Sequence, residues 1–481
     1  MGLLAVLRSR AKGNQLIGAM ITASHNPAPD NGVKLVDPAG EMLEQAWEAA
    51  ATDLANCADA ELPEQLAAIS ERHGLAAAGG AVVVGRDTRQ SSPGLSEALV
   101  RGVVAAGGAV TDLGVVTTPQ LHYMVVATNT KGGYGEPSVQ GYYTKISCAF
   151  KKFLALTGEK KVYKPVLMFD GANGVGAPAM AEFARLLGEV LEVEMVNTGE
   201  GELNSGCGAD YVKVSQAAPA GRALAPGRRC VSVDGDADRV IYYFTSAAGF
   251  HLLDGDRIAT LVAAYLQELL RQAGLQQEIE LGLVQTAYAN GSSTAYITEE
   301  LGVPVAFTPT GVKHLHHRAM DFGIGVYFEA NGHGTVVFSE RAQHLVRARG
   351  GAKLGALMDV VNQTVGDAIS DMLVVECVLA DRDWDCAEWL ACYQDLPNRL
   401  GKVAVRDRAM VTTTDAERRV VTPAGLQDGV DALVAKYTKG RSFVRPSGTE
   451  DCVRVYSEAA TRGEADNLNR EVGELVVKLC G

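Results

Sequence analysis

The sequence contains no Cys-x-x-Cys pair, and its cysteine count is odd. The nine cysteines are Cys57, Cys148, Cys207, Cys230, Cys377, Cys386, Cys392, Cys452 and Cys480. An odd number without paired spacing argues against a disulfide framework and against a cysteine-rich zinc site. Reduced thiols in a reducing compartment fit this pattern better.

Long apolar runs are also missing. No segment approaches the roughly 20 apolar residues that a membrane-spanning helix needs. The first residues, MGLLAVLRSR, are too short and too charged for a secretory signal peptide. We therefore expect no membrane partner and a cytoplasmic location.

The sequence also lacks an excess of basic residues. The chain has 44 Lys and Arg against 57 Asp and Glu, which gives a formal net charge of -13. A general nucleic-acid binder needs a basic surface, so we expect no nucleic-acid partner. A small phosphorylated substrate stays compatible, because a local cluster of cations can reverse the field inside one site.

Strand-like and helix-like segments alternate along the 481 residues, which predicts a multi-domain α/β fold with mixed sheets. LIGAMIT (16–22) is predicted to be a buried strand, VKLVD (33–37) its returning partner, and 41–55 a helix. Ser92 is a predicted helix N-cap, followed by Pro93. A C-terminal helix is predicted from the apolar spacing of Leu468, Val472, Leu475, Val476 and Leu479. We place domain boundaries at 1–150, 151–275, 276–398 and 399–481.

The strongest chemical signal is DGDADR, in which Asp234, Asp236 and Asp238 follow a short apolar strand. An extended loop would point these alternate side chains to one side, where they could bind Mg²⁺. An EF-hand is excluded, since its sixth position is Arg239 and its twelfth is Thr245. The alternative is an acidic, solvated turn, in which Arg239 alone would offset little of the repulsion.

RPSGTEDCVRVY places guanidinium groups, hydroxyls and a tight turn together, as a phosphate group requires. The candidate phosphate ligands are Arg445, Ser447, Gly448, Thr449 and Arg454. PSG alone is also a common β-turn, so the segment on its own leaves both interpretations open.

TASHNPAPDNGVKLVD (22–37) is a polar stretch directly after a predicted strand. It predicts a turn with Ser24 exposed at the strand end, beside His25. Ser24 and Lys34 taken alone would be ordinary surface residues. They become candidate site residues only together with the aspartate and phosphate motifs, because a phosphorylated serine needs a metal ion and a neighbouring cation.

FEANGHG spaces Glu329, Asn331 and His333 by two residues, and its glycines keep the loop tight. An acceptor, an amide and an imidazole on one loop could recognise a sugar, although such a loop is more often plain polar surface. HLHH (314–317) could suggest a metal site, but an amphipathic helix there favours surface or packing roles.

In order along the chain, these motifs resemble the α-D-phosphohexomutase superfamily, and within it the phosphoacetylglucosamine mutases of eukaryotes. The segments that carry the resemblance are TASHNPAPDNGVKLVDPAGEM, TTPQLHYMV, DGDADR, TAYANGSS, TGVKHLHH, FEANGHG and RPSGTEDCVRVYSEA. EANGHG, in place of the Glu-x-Ser-Gly-His form of glucose and mannose mutases, points to an N-acetylated sugar.

The resemblance implies three α/β domains and a smaller C-terminal α+β domain around a central cleft, each donating one loop. It makes Ser24 the phosphoserine, which with the three aspartates binds one Mg²⁺ per chain. Lys34 and His333 become candidates for proton transfer, and Arg239 and His25 further site residues. The residues that it assigns to substrate binding are Glu329, Asn331, Arg445, Ser447, Gly448, Thr449 and Arg454.

The implied reaction interconverts N-acetylglucosamine 6-phosphate and 1-phosphate, for UDP-N-acetylglucosamine synthesis, through a hexose 1,6-bisphosphate that serves as intermediate and activator. The partner is a small sugar phosphate, and we expect a monomer or a weak homodimer. Family members carry a further N-terminal segment, with a Gly-Thr-Ala-Gly-Phe-Arg-like motif, ahead of the first helix here. The resemblance therefore predicts a first domain short of one strand and a site short of one cation.

Three alternatives stay open at this point. A mutase for glucose, mannose or glucosamine phosphates would share the motifs but prefer a non-acetylated sugar. A non-catalytic sugar-phosphate binder would follow from the shorter N-terminus. A phosphatase would also use aspartates and Mg²⁺, but the sequence has no D-x-D-x-T motif.

Overall fold

The computed structural model describes residues 1–76, 78–448 and 451–481. The chain forms two units, which are described separately. The first comprises Met1–Asp254, Asn331–Thr335 and Ala352–Cys386, and the second comprises Gly255–Ala330, Val336–Gly351 and Ala387–Gly481. The predicted boundaries of four domains stay a prediction.

The first sheet of the first unit has the strand order β2-β1-β3-β4, in which β2 is antiparallel to β1 and the others are parallel. Its strands are β1 (Leu16–Thr22), β2 (Gly32–Val36), β3 (Ala81–Arg86) and β4 (Ala109–Val115). The helices of this part are α1 (Gly2–Ala11), α2 (Gln45–Asn56), α3 (Leu62–Arg72), α4 (Ser92–Ala105), α5 (Thr118–Asn129) and α6 (Val139–Leu154). The strand predicted for LIGAMIT and its returning partner are confirmed.

Two local predictions in this region are wrong. The helix expected from residue 41 begins only at Gln45, because Met42 bridges Val36 and the amide of Leu43 donates to Leu35 (3.1 Å). Ser92 is not the N-cap of α4, since its hydroxyl donates to the buried carboxylate of Asp87.

The second sheet of the first unit has the order β6-β5-β7-β8-β9, with β5, β6 and β7 parallel and β8 and β9 antiparallel. Its strands are β5 (Val166–Asp170), β6 (Glu192–Val196), β7 (Cys230–Val233), β8 (Val240–Ser246) and β9 (Gly249–Leu253). The helices α7 (Gly176–Leu187) and α8 (Gly208–Ser215) follow β5 and β6.

The second unit contains a further mixed sheet with the order β11-β10-β12-β13. These strands are β10 (Leu281–Thr286), β11 (Val305–Thr308), β12 (Ile324–Phe328) and β13 (Gly334–Phe338). The next helices along the chain are α9 (Gly255–Gln272), α10 (Gly291–Ala295), α11 (Val312–Ala319), α12 (Glu340–Arg349), α13 (Gly351–Val360), α14 (Ala368–Arg382) and α15 (Cys386–Leu390). The division between the units passes through the β12–β13 loop, through β13 after Thr335, and through the first residues of α13 and α15, so that α14 belongs to the first unit.

The C-terminal part of the second unit has an antiparallel sheet with the order β14-β18-β17 and a separate hairpin of β15 and β16. The strands are β14 (Asn398–Ala404), β15 (Thr412–Thr414), β16 (Arg419–Thr422), β17 (Arg441–Pro446) and β18 (Cys452–Glu458), and the helices are α16 (Leu426–Val434) and α17 (Arg462–Cys480). Leu468, Val472 and Val476 of α17 are fully buried against this sheet's core, which confirms the helix predicted from their spacing.

The multi-domain α/β class predicted from the sequence is confirmed. Among the described residues, no helix combines the length and the apolar character that crossing a membrane would require.

Candidate functional site

Ser24 lies in the turn that follows β1, with a left-handed φ of 54°. Its hydroxyl donates to Asp234 Oδ2 at 2.6 Å, and its amide donates to Thr22 Oγ1 at 2.9 Å. The turn is as predicted, but Ser24 is only 6% exposed, so its predicted exposure is wrong. The reason is that residues from several loops of the first unit close around it.

Two side chains donate hydrogen bonds to the carbonyl oxygen of Ser24. Arg89, in the loop after β3, donates to the carbonyl oxygens of Ser24 (2.9 Å) and Asn26 (2.8 Å). Asn204 Nδ2 donates to the same Ser24 carbonyl at 3.0 Å. Arg89 also pairs with Asp87, and both side chains are almost completely buried. Residues other than glycine rarely adopt this backbone conformation, and here the hydrogen bonds from Arg89 and Asn204 stabilise it.

The three aspartates of DGDADR converge, although not through an extended loop as predicted. Asp234 Oδ1 accepts the amides of Asp238 (3.1 Å) and Arg239 (3.2 Å), which closes a tight turn with Ala237 at φ 61°. Each aspartate offers an oxygen, and these oxygens lie within 4.8 Å of one another. All three residues are buried, so the alternative of a solvated acidic turn is wrong.

The donor set fits a hard divalent cation. Asp236 Oδ1 and Asp238 Oδ1 are buried and accept no hydrogen bond from the part of the chain that the structure describes, so each has a lone pair available for a metal. Lys34 Nζ lies 3.4 Å from Asp236 and 3.8 Å from Asp238, and Arg239 Nε lies 3.9 Å from both Asp234 and Asp238. The three carboxylates and the two cations have a net charge of −1. A divalent ion would change this net charge to +1.

The pKa values in this cluster move in opposite directions. Burial and the charges of Asp238 and Asp236 raise the pKa of Asp234 well above its ordinary value. Burial and Asp236 raise the pKa of Asp238 to about 6. Burial alone would raise the pKa of Asp236 too, but Lys34 and the hydroxyl of Thr118 lower it. Such divergence among neighbouring carboxylates is typical of functional sites.

Thr118 and Lys34 support Asp236 from the first sheet's side of the cluster. Thr118, at the start of α5, donates its hydroxyl to Asp236 Oδ2 (2.7 Å) and its amide to the Asp236 carbonyl (3.1 Å). Burial by itself would lower the pKa of Lys34, but the attraction of Asp236, Asp238 and Asp234 raises it. Lys34 is therefore a charged amine beside the cluster.

His333 and His25 complete this group. His333 Nδ1 lies 3.8 Å from Asp238 Oδ1, because His333 forms a β-bridge with Arg239. Asn331 Oδ1 accepts the amide of His333 at 3.0 Å, which shapes the loop. Burial, together with the charge of Arg239, lowers the pKa of His25 to about 4.

Two glycines allow the His333 loop to lie this close. Gly332 has φ 90°, and a Cβ there would come within 2.0 Å of the Val240 carbonyl oxygen. A Cβ on Gly366 would come within 2.3 Å of the His333 ring. The sequence motif identified Gly332, but nothing in the sequence pointed to Gly366.

The remaining predicted residues lie in the second unit. Glu329 accepts the amide of Gly311 at 3.1 Å. Arg445 on β17 and Arg454 on β18 are direct cross-strand partners, and Lys402 on β14 is the partner of Arg454 on its other side. Partners in an antiparallel sheet share a face, and like charges placed opposite each other are unfavourable without an anion. This row of cations could attract a phosphate in addition to Glu417, whose Oε1 lies 3.1 Å from Arg445 Nε.

The turn between β17 and β18 is only partly described. The amide of Ser447 donates to the Cys452 carbonyl at 2.9 Å, and a Cβ added at Gly448 would have no atom of the described residues within 4 Å. Thr449, a predicted phosphate ligand, lies outside the described residues.

The predicted residues therefore fall into two groups. The structure brings Ser24, His25, Lys34, Asp234, Asp236, Asp238, Arg239, Asn331 and His333 into the first unit, and it places Glu329, Arg445, Ser447, Gly448 and Arg454 in the second. Sequence reasoning missed Arg89, Thr118 and Asn204. A signal for Arg89 existed, since it follows β3, and β3 is parallel to the strand that ends before Ser24.

Family models for four domains match the chain in order. They are Phosphoglucomutase/phosphomannomutase, alpha/beta/alpha domain I (residues 8–61 and 61–134), Phosphoacetylglucosamine mutase AMG1, domain II (136–241) and domain III (254–384), and Phosphoglucomutase/phosphomannomutase, C-terminal domain (400–475).

Full-length relatives and solved structures agree with these matches. A phosphoacetylglucosamine mutase of Sus scrofa is 51% identical over 100% of this chain and 91% of its own length. Phosphoacetylglucosamine mutase 1 of Schizosaccharomyces pombe is 45% identical over 99% of this chain and 95% of its own. The crystal structure of Aspergillus fumigatus N-acetylphosphoglucosamine mutase with GlcNAc-6P and magnesium is 49% identical, with a TM-score of 0.95 over 100% of this chain and 92% of that chain. The chain belongs to the phosphoacetylglucosamine mutase family of the α-D-phosphohexomutase superfamily.

Proposed function

We propose that this protein interconverts N-acetylglucosamine 6-phosphate and N-acetylglucosamine 1-phosphate through a phosphorylated Ser24. The observation that carries the proposal is the buried Ser24 hydroxyl, 2.6 Å from Asp234 and beside three convergent carboxylates. The A. fumigatus relative has been solved with GlcNAc-6P and magnesium, and also with glucose 1,6-bisphosphate. These ligands match the substrate, metal and intermediate proposed here.

The reaction needs two phosphoryl transfers. In the first, the bond between phosphorus and Ser24 Oγ breaks while the free sugar hydroxyl forms a new bond to the same phosphorus. The hydroxyl proton passes to a general base, and Ser24 Oγ takes up a proton. The product is a 1,6-bisphosphate. After the sugar has turned around, its other phosphoryl group moves to Ser24 Oγ, which gives up its proton, and the sugar oxygen left behind takes up a proton. Atoms and charge balance over the cycle, and Ser24 ends phosphorylated.

Asp234, Asp236, Asp238 and the phosphate of Ser24 would together bind one Mg²⁺, in keeping with the orphaned buried oxygens of this cluster. When bound, the ion would offset negative charge on the oxygens of the transferring phosphoryl group. Thr118 and Lys34 hold Asp236 in place for that role.

We assign the proton transfers to Lys34 and His333. Both lie within 4 Å of the aspartate cluster. Because Lys34 is a charged amine, it would supply a proton, while His333 would accept the proton of the hydroxyl. Arg239 acts on this environment by its charge, whereas His25 stays neutral there, because burial and the charge of Arg239 lower its pKa to about 4.

Recognition is assigned to two loops. Glu329 and Asn331 would read the sugar hydroxyls and the acetamido group. Arg445, Ser447, Gly448, Thr449 and Arg454 would hold the phosphate that is not reacting, so that its binding energy positions the reacting end. In this scheme, 1–150 supplies the phosphoserine, 151–275 the metal ligands, 276–398 the sugar loop and 399–481 the phosphate loop.

The test is phosphorus NMR of the protein with N-acetylglucosamine 6-phosphate, Mg²⁺ and a trace of the 1,6-bisphosphate. We expect the 1-phosphate signal to appear with the parent chain and with the control S70A, and to stay absent with S24A. D236N should lose rate and weaken the dependence on Mg²⁺ together. Near-normal turnover by S24A would remove the covalent step from the scheme.

The same assay separates the alternatives. Faster conversion of glucose 6-phosphate than of the acetylated sugar would favour a general hexose-phosphate mutase. Binding without isomer exchange would favour a sugar-phosphate binder, and release of inorganic phosphate would favour a phosphatase.

A further inference from the structure

Glu417 contacts the phosphate-binding arginine and a neighbouring loop at the same time. Its Oε1 lies 3.1 Å from Arg445 Nε. Its Oε2 accepts two hydrogen bonds from Thr310, one from the amide (2.9 Å) and one from the hydroxyl (2.6 Å). The side chains of Glu417 and Arg445 are only 17% and 18% exposed, so the pair is largely shielded from water.

The turn that carries Glu417 is strained. Four residues connect β15 to β16, and three of them have left-handed backbones: Asp415 (φ 52°), Ala416 (53°) and Glu417 (66°). None is a glycine, so each costs free energy that contacts elsewhere must offset. Arg418 next to them lies 4.0 Å above the ring of Phe307, which holds the hairpin tip against β11.

The contacts continue from Thr310 to the sugar loop. Gly311, the next residue, donates its amide to Glu329 Oε1 at 3.1 Å. A connected path within the second unit therefore runs from Arg445 through Glu417 and the Thr310–Gly311 backbone to Glu329. The two ends of this path are the residues assigned above to the phosphate and to the sugar.

We propose that Glu417 is a positioning residue, which orients Arg445 for phosphate binding and links it to the loop that holds Glu329. The inference rests on the proposed function, because it takes Arg445 as the phosphate ligand. Glu417 Oε1 forms an ion pair with Nε of the guanidinium, and in this proposal the terminal nitrogens of Arg445 bind the phosphate. Because three contacts fix the Glu417 carboxylate, we infer that it orients Arg445 and does not occupy the position of the phosphate.

The experiment measures binding without turnover. Calorimetric titration of N-acetylglucosamine 6-phosphate into S24A sets the reference affinity, and E417Q is then added to S24A. Gln keeps an acceptor for Thr310 but loses the ion pair with Arg445. We expect Kd to rise about tenfold, as loss of one charged contact implies. D415N is the matched control on the same turn, since Asp415 pairs with the partly exposed Arg418, and its Kd should stay within about twofold of the reference.

Two further measurements identify a positioning role. In an R445A background, E417Q should have no additional effect on Kd, because Glu417 acts through Arg445. With Ser24 restored, E417Q should raise KM by about the same factor while kcat changes little. Unchanged thermal unfolding would show that the effect is not a loss of fold, and T310V would give a smaller change in the same direction.

The outcomes distinguish the inference from the proposed function. If S24A does not bind the sugar phosphate at all, the proposed function fails. If S24A binds it and E417Q leaves Kd unchanged, lowers Kd, or adds fully to R445A, the positioning role of Glu417 is wrong.

Discussion

Replacing Arg89 by Met should damage both the stability of the chain and the catalytic step. The Arg89 guanidinium donates to the carbonyls of Ser24 and Asn26 and pairs with Asp87, and the Arg89 and Asp87 side chains are 3% and 0% exposed. Removing one partner of a buried ion pair costs about 3–5 kcal/mol, because the other charge stays buried. Asp87 keeps two donors, the Ser92 hydroxyl and the Arg89 amide, so we expect about 3 kcal/mol.

The kinetic effect follows from the Ser24 backbone. With Arg89 gone, Asn204 is the only side chain within residues 1–76, 78–448 and 451–481 that still donates to the Ser24 carbonyl, and the left-handed turn can relax. Displacement of a reacting group by about 1 Å can cost about 100-fold in rate. We therefore expect kcat to fall at least tenfold. KM should change little, since the residues assigned to substrate binding lie elsewhere.

Urea unfolding and initial rates on N-acetylglucosamine 6-phosphate measure the two effects. R101M is the control, because Arg101 is 73% exposed on α4, and exposed substitutions usually stay within about 0.5 kcal/mol. D87N combined with R89M should cost less stability than the sum of the single changes. An R89M variant with parental stability and kcat would refute the reasoning, and a change in KM alone would refute its kinetic half.

G366A should push the His333 ring aside, since the new Cβ would lie 2.3 Å from it, and we expect kcat to fall by about tenfold or more. G355A is the control and should leave kcat unchanged, because its new Cβ would have no atom of the described residues within 4 Å. An unchanged kcat in G366A would contradict the placement of His333. Burial lowers the pKa of His316 from 6.5 to about 4, so His316 contributes stability above pH 6.5 that is lost as the pH falls towards 4. The unfolding free energy of H316Q should therefore fall by about 3 kcal/mol less than that of the parent as the pH is lowered from 6.5 to 4. H317Q, which changes an exposed histidine on the same helix, is the control and should behave like the parent. An equal dependence of the unfolding free energy on pH in H316Q and the parent would contradict this.

The sequence predicted the residues that face a ligand better than the residues that hold them. A run of carboxylates after an apolar strand is chemically unusual, so Asp234, Asp236 and Asp238 stood out, and the structure brings them together. Their convergence depends on a turn closed by backbone amides, which the alternation of side chains in an extended loop did not predict. The spacing of apolar residues likewise predicted the buried strand β1 and the helix α17.

The supporting residues are not chemically unusual in the sequence, and the signal for Arg89 lay only in its position after β3. Arg89 and Asn204 are ordinary polar residues in loops, and they matter because tertiary contacts bring them to the Ser24 carbonyl. Glu417 is hidden in a short hairpin, where a polar turn is expected in any protein. Gly366 is one of 53 glycines, and only the position of the His333 ring shows why it lacks a side chain.

The balance of charge around Ser24 explains why so acidic a chain can work on phosphates. When all three buried carboxylates are ionised, as metal binding requires, they and the cations Lys34 and Arg239 have a net charge of about −1. A divalent ion would bring the cluster to about +1, and a phosphate on Ser24, with a charge close to −2, would return it to about −1. Each state stays within one unit of neutrality, which limits the cost of burying charge as the phosphoryl group arrives and leaves. The formal charge of the whole chain therefore says little about this site, because Lys34 and Arg239 set the field locally.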